Sequence, residues 1–404
     1  MQTDIQNTYM KRIYTVFITL LLAVMTAGAV SDRTVVMISL DGFRWDYTSW
    51  YDTPFFDQMA KQGVQSGLIP SFPSKTFPNH YTLATGLYPD NHGIIANTFL
   101  DKERNVVFSI SDPKTKSLAR YWGGEPVWLT AKHQGVRTAV FYWPGSDVAI
   151  KGEHPDMYHV YDSDDRLSME QRVDSMLSVM RLPDGKRPQL LMGYMEEPDH
   201  NGHTYCPNSK EARQAVEQMD ALMKRLYDGM MSLPYAESID FIVVSDHGMA
   251  VVTPDRQITV MDKLKKEWVA RVEGSLPAHI YAKEGCQDSI YKALKGLDHL
   301  RVWKKGEVPE ILHYGNNNLC GDVIAAPDLG FIFTDWKVVE GGQHGYDPYY
   351  SDMHALFRAV GPDFRNVKRE HFKNVNVYPI VCHLLGIKPA RNDGNLEEMR
   401  DILK

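Results

Sequence analysis

Three stretches of this chain share one design, and together they leave few folds open. Thr34-Val35-Val36-Met37-Ile38-Ser39-Leu40 runs into Asp41-Gly42. Gln189-Leu190-Leu191-Met192-Gly193-Tyr194-Met195 runs into Glu196-Glu197-Pro198-Asp199, with His203 four residues further on. Phe241-Ile242-Val243-Val244-Ser245 runs into Asp246-His247-Gly248. Short apolar runs without polar alternation read as strands buried on both faces of a parallel sheet. In open α/β sheets, ligands bind beyond the carboxyl ends of the strands. Carboxylates and imidazoles waiting there on three strands point to one shared polynuclear metal site.

The rest of the chain is consistent with that sheet. Helical patterns fall between the strands at Leu167–Arg181 and Lys210–Met231, the latter with Ala215, Met219, Leu222, Met223 and Leu226 on one face. This alternation predicts an α/β fold, a mostly parallel central sheet with helices on both faces. Between Met249 and Gly342 the pattern turns to shorter strands, Ala278–Ala282 and Gly330–Thr334, around a helix at Gln287–Lys295. Residues 249–342 are therefore expected to form a small inserted α+β lobe, after which Ala355–Val360 adds another strand.

One further stretch carries chemistry. Pro73-Ser74-Lys75-Thr76-Phe77-Pro78-Asn79-His80 follows an extended apolar run, Gly67–Phe72, and leads into a helical pattern through Thr85. Pro78 suits the first turn of a helix. Thr76 is thus expected at a helix N-terminus, where free N–H groups and the dipole favour negative charge. Helix capping is the ordinary role of a threonine there. The nearby metal-type residues argue for more.

Lys11-Arg12, an apolar run from Ile13 to Met25 and Ala27-Gly28-Ala29 have the layout of a secretory signal peptide cleaved after Ala29, so residues 1–29 are expected to be a leader and 30–404 the catalytic domain. The apolar run is short for a membrane span. Export to the periplasm or the outside is expected, with no stable membrane span after cleavage. The formal charge of −7 includes Asp4, Lys11 and Arg12, which together carry +1, so the remainder carries −8. That balance argues against general nucleic-acid binding, and a phosphate substrate would need local positive charge of the kind metal ions supply. Cys206, Cys286, Cys320 and Cys382 are scattered too widely for a CxxC-type site. In an exported protein disulfides are permitted, and four cysteines allow three full pairings.

In their order along the chain, Asp41-Gly42, Lys75-Thr76-Phe77-Pro78-Asn79-His80, Gly86-Leu87-Tyr88-Pro89 with Asn91-His92-Gly93-Ile94, Trp143-Pro144-Gly145-Ser146, Glu197-Pro198-Asp199 with Gly202-His203, Asp246-His247-Gly248-Met249 and His344-Gly345-Tyr346 form a set. The set resembles the nucleotide pyrophosphatase/phosphodiesterase family of the alkaline phosphatase superfamily. The resemblance implies an alkaline-phosphatase-like core and two Zn2+ ions. One would be held by Asp41, Thr76, Asp246 and His247, the other by Asp199, His203 and His344, with His200 the neighbour most easily confused with a ligand. It implies that Thr76 attacks phosphorus to give a phosphothreonine intermediate, that Asn97 donates to a phosphate oxygen, and that Phe77 and Tyr161 sandwich a nucleobase. Tyr158 competes for the second stacking position, and Trp143 and Asp147 are expected to shape the same pocket. The implied substrates are nucleotides or related phosphodiesters.

Charge counting adds to this. Two zinc ions bring +4 against −3 from Asp41, Asp199 and Asp246, a nearly neutral site once Thr76 ionises. Such a site suits a phosphodiester better than a monoester dianion. Two other functions compete: a phospholipid or glycerophosphocholine diesterase on the same scaffold, and a zinc-stabilised binding ectodomain without turnover.

Overall fold

The sequence of apolar strands produces a sheet of nine strands, seen in a computed structural model that describes residues 33–161, 166–260 and 262–404. The expected signal peptide lies outside the described residues. Among them, no helix is long and apolar enough to cross a membrane.

Thr34–Leu40 is the central strand. It pairs in parallel with Leu190–Met195 on one side and Ile239–Val244 on the other. Thr138–Phe141 and Met157–His159 extend the parallel set beyond Leu190–Met195. On the other flank, Ala355–Val360 lies antiparallel between Ile239–Val244 and Val64–Ile69. Two reversals restore direction, so Val64–Ile69 ends at the same edge of the sheet as the parallel strands. Ala355–Val360 begins at that edge. Seven strands thereby place an end at one rim.

The strands are apolar throughout because both faces are covered. Val35 and Met37 pack into one cluster with Tyr81 and Leu83 of the helix Thr76–Thr85, Trp128 of Val127–His133 and Tyr378 of Val377–Leu384. Val36, Ile38 and Leu40 pack into the other, with Phe56 of Pro54–Gln62, Met176 of Met169–Met180 and Met223 of Lys210–Met231. Successive residues of a strand point to opposite faces, so each cluster takes every second residue. The helix expected from Leu167 starts two residues later. Ser168 accepts from the Gln171 N–H while the Gln171 side chain accepts from the Ser168 N–H, a capping box that fixes the first turn.

The segment between the Asp246 and His344 stretches leaves and returns through a two-stranded ribbon, Ala250–Val252 against Gly341–Gln343. Within it, Val269–Glu273, Ala278–Ala282, Val323–Pro327 and Leu300–Lys304 form an antiparallel sheet with the helix Gln287–Leu294 and an apolar cluster of their own. The strand expected at Gly330–Thr334 shrinks to Ile332–Phe333, paired with Gln257–Ile258. All four cysteines are unpaired, so none of the three possible disulfide patterns forms.

Candidate metal centre

Each strand end delivers its polar residue to the same rim. Leu40 and Met195 are register partners, and Asp41 and Asp199 follow them directly or after a short turn. Gly42 makes this approach possible. It has a positive φ, and a Cβ on it would sit 2.9 Å from both Cβ and Oδ1 of Asp199. Asp199 and His203 lie one turn apart on the short helix Asp199–Tyr205. Thr76 begins the helix Thr76–Thr85. His344 arrives from the ribbon, followed by Gly345, whose Cβ would clash with the Leu276 carbonyl and the Lys75 side chain.

The polar atoms converge closely. His247 Nε2 lies 3.0 Å from Asp246 Oδ2, 3.4 Å from Asp41 Oδ1 and 3.2 Å from Thr76 Oγ1. The His247 ring stacks on His344 at 3.5 Å. His344 Nε2 lies 3.1 Å from His203 Nε2 and 3.8 Å from Asp199 Oδ1, and His203 Nε2 lies 3.4 Å from Asp199 Oδ2. The seven residues expected as ligands thus meet in one cluster. His200 does not; it is exposed on the outer side of its helix.

The tautomers fix which ring nitrogens face the cluster as acceptors. His203 Nδ1–H donates to the Gly342 carbonyl, His344 Nδ1–H to Ser74 and His247 Nδ1–H to Gly248, at 2.8, 2.9 and 2.8 Å. With Nδ1 committed, Nε2 of each neutral ring is an acceptor facing inward. It faces other acceptors: Asp41 Oδ1, Asp199 Oδ1 and Asp246 Oδ2 are buried without a hydrogen-bond donor. Buried acceptors packed against acceptors favour a cation between them, a proton or a metal ion. Two groups of donors lie close enough to share an ion, Asp41/Asp246/His247 and Asp199/His247/His344. The mixture of carboxylate and imidazole suits a divalent transition metal.

Electrostatics say the same. Burial, with Asp246 and Asp199 close by, pushes Asp41 well above the usual carboxylate range. Burial would raise Asp246 too, but the imidazoles of His247 and His80 win and hold it well below. Burial opposes charge on His247, yet Asp246 raises its proton affinity; the field that holds a proton there equally holds a metal cation. Burial, with His247, Lys75 and His203 adding to it, pushes His344 well down, so its Nε2 lone pair is free. Burial lowers Lys75 to about 8, against the pull of Asp199.

Several supporting residues had no assigned role in the sequence. Tyr194 donates to Asp41 Oδ2 at 2.6 Å. His80, one helical turn beyond Thr76, places Nδ1 2.9 Å from the Thr76 carbonyl and 3.3 Å from Asp246 Oδ2. Ser245 donates to the His247 carbonyl at 2.9 Å, with its Oγ 3.3 Å from Asp246 Oδ1. The i,i+4 spacing of Thr76 and His80 was a usable signal. Tyr194 offered none, since an apolar strand hides one working hydroxyl.

Asn97 sits beside the helix start, its Oδ1 accepting the Phe77 N–H at 3.2 Å. Phe77 and Tyr161 are brought together, but in a different geometry from the expected sandwich. Their rings meet edge to face at 5.1 Å, and Phe77 is fully buried against Trp122 as well. Rings in contact leave no slot for a base between them. Tyr158 points to solvent and stacks on His154. Trp143 does not line a pocket: it is buried behind the Thr76 helix and its indole N–H donates to the His80 carbonyl. Asp147 lies half-buried in the turn that follows.

Known proteins resemble this chain over most of its length. A family model described as type I phosphodiesterase/nucleotide pyrophosphatase matches residues 35–347. Ectonucleotide pyrophosphatase/phosphodiesterase family member 3 of Bos taurus is 34% identical over 392 residues, covering 92% of this chain and 44% of the relative. A venom phosphodiesterase of Crotalus durissus collilineatus is 35% identical over 391 residues, covering 92% and 46%. The chain thus spans less than half the length of these curated relatives. Among solved structures, murine ectonucleotide pyrophosphatase/phosphodiesterase 5, as an inactive threonine-to-alanine variant in complex with AMP, superposes with a TM-score of 0.87 at 33% identity, covering 92% of this chain and 100% of that one.

Proposed function

The chain belongs to the type I phosphodiesterase/nucleotide pyrophosphatase family, and from that premise we propose that it is an exported enzyme that hydrolyses phosphodiester and pyrophosphate bonds of nucleotides, releasing nucleoside 5′-monophosphates. The observation that carries the reading is the set of inward-facing acceptors, three imidazole nitrogens and three orphaned carboxylate oxygens, around the Thr76 hydroxyl. Asp41, Thr76, Asp246 and His247 would hold one zinc ion, and Asp199, His203 and His344 the other. When bound, the ions would supply the positive charge that lowers the proton affinity of Thr76 and offsets charge on the phosphoryl oxygens.

The chain's own groups define the rest. The Thr76 oxygen attacks phosphorus in line, the bond to the leaving group breaks on the Asp199/His203/His344 side, and water then cleaves the phosphothreonine. With its oxygen occupied by Phe77 N–H, Asn97 has its amide N–H left to donate to a non-bridging oxygen. Lys75 contributes a nearby positive charge. The base stacks on Tyr161, backed by the edge-on contact with Phe77, while Trp143 steadies the helix. The murine neighbour, an inactive threonine-to-alanine variant in complex with AMP, supports a nucleotide substrate and a working threonine.

The test is substrate choice by the zinc-loaded protein among nitrophenyl esters of thymidine monophosphate, phosphorylcholine and phosphate. The nucleotide ester is expected to dominate, with activity lost to a chelator and recovered with zinc. Preference for the phosphorylcholine ester would move the chain to the lipid-type reading. Inertness on all three esters would favour a binding ectodomain.

A further inference from the structure

A groove of about 280 Å3 borders the cluster at His203. Its lining also includes Val252, Ile332, Trp336, Val338 and Val339. Its floor is the strand Gly341–Gln343, whose Gly342 carbonyl orients the His203 ring. The helix bearing His203 packs so tightly on this strand that a Cβ on Gly341 would lie 2.4 Å from the His203 carbonyl. Groove and reacting centre therefore share a wall.

The outer rim is unusual. Trp336 is 84% exposed and Val339 70% exposed. The other prominent surface tryptophan, Trp50, is covered by the Arg44 guanidinium at 4.6 Å. Among the described residues, no ring or cation covers Trp336. Its backbone is nevertheless held: Trp336 N–H donates to Thr334 Oγ1 at 3.2 Å, and Gln257 Nε2 donates to the Thr334 and Trp336 carbonyls at 3.0 and 2.9 Å. An indole presented on a fixed backbone costs little ordering entropy when a flat ligand stacks on it. Lys337, also at the groove, adds a positive charge suited to phosphate.

We infer that this groove receives the leaving group, and that Trp336 is a specificity-determining residue favouring a leaving group with an aromatic ring, a second nucleoside in particular, over bare pyrophosphate. The inference rests on the proposed function. The groove lies at the small end of ligand pockets, which run from about 300 Å3 upward, so it takes one ring system and not a pair of acyl chains.

The experiment compares the zinc-loaded wild type with Trp336→Ala and Trp336→Phe on a dinucleoside pyrophosphate and on ATP. Trp336→Ala is expected to raise KM for the dinucleotide about tenfold, the scale of one lost stacking contact. Its kcat should hold, and KM for ATP should move less than about twofold. Trp336→Phe should restore most of the dinucleotide KM. Calorimetric affinities for methylene-bridged, non-hydrolysable analogues of the two substrates should show the same split. An unchanged ratio between substrates, or equal losses on both, would overturn this inference alone. A wild type that cleaves neither substrate would overturn the functional reading and this one with it.

Discussion

Asp246 and His247 are fully buried, whereas the His203 side chain is about 31% exposed. The buried half of the cluster is held by side chains and main chain together: Tyr194 donates to Asp41, the Gly42 N–H to Asp246 Oδ1, and His247 to the Gly248 carbonyl. The open half is held by main-chain carbonyls, Gly342 for His203 and Ser74 for His344. The buried half draws Asp41, Asp246 and His247 from neighbouring strands, while His203 and His344 are 141 residues apart in the chain. The contrast teaches a division of labour. A nucleophile gains from a fixed, water-poor setting, where charge acts strongly. On the proposed function a departing group needs an exit, which the exposed His203 side would provide.

The sharpest way to break this division is at Thr76. Thr76→Ala is expected to reduce turnover by roughly three orders of magnitude or more while leaving fold and metal content intact. Residual activity of more than a few per cent, with metal content verified, would remove Thr76 from the nucleophile's role. Next in size are the open-half ligands. His344→Ala and His203→Ala should each empty the same metal position, giving one ion per chain in place of two and lowering turnover about a hundredfold. Elemental analysis that finds the full complement in both variants would mean the two halves are grouped wrongly.

Smaller changes sharpen the comparison. Tyr194→Phe removes the donor to Asp41 and should cost about tenfold in metal affinity, as supporting hydrogen bonds to ligands do. A competition titration with a chelator measures it, and an unchanged affinity would show that the buried half does not depend on its side-chain supports. The far end of the strand Ile239–Val244, which leads into Asp246, provides a control. Asp240 is buried beside Asp363, and burial raises its pKa to about 7. The native state keeps that proton while the unfolded chain releases it, so stability from this group is greatest at low pH and is lost as pH rises toward 7. Asp240→Asn should flatten that slope and stabilise the protein at pH 8 by roughly 1–3 kcal/mol. Denaturant melts at pH 5 and pH 8 decide it.

Much of this was readable in the residues. The three apolar strands announced their burial, because an unbroken apolar run and cover on both faces are the same fact seen twice. Thr34–Leu40, Ala278–Ala282 and Ala355–Val360 fall where the pattern put them. Asp41, Asp199, Asp246 and their histidines could be grouped because strand direction fixes where strand ends meet. What the sequence concealed were relations between side chains. Nothing in Phe77 or Tyr161 indicates that the rings touch edge to face, and Trp143 reads alike whether it lines a pocket or props a helix. The carbonyls that orient the histidines are invisible in principle, since every residue has one.

Ser74 is where the two halves are buckled together. Its carbonyl holds His344, and its hydroxyl donates to the Tyr346 carbonyl at 2.8 Å. It lies two positions before Thr76. The polypeptide between the ribbon strands can therefore lengthen, shrink or exchange its surface without altering the reach of the attacking oxygen, because the spacing is set at the clasp and not by the segment beyond it. Only residues 253–340, between the ribbon strands, have this latitude, because Gly341 and Gly342 hold His203.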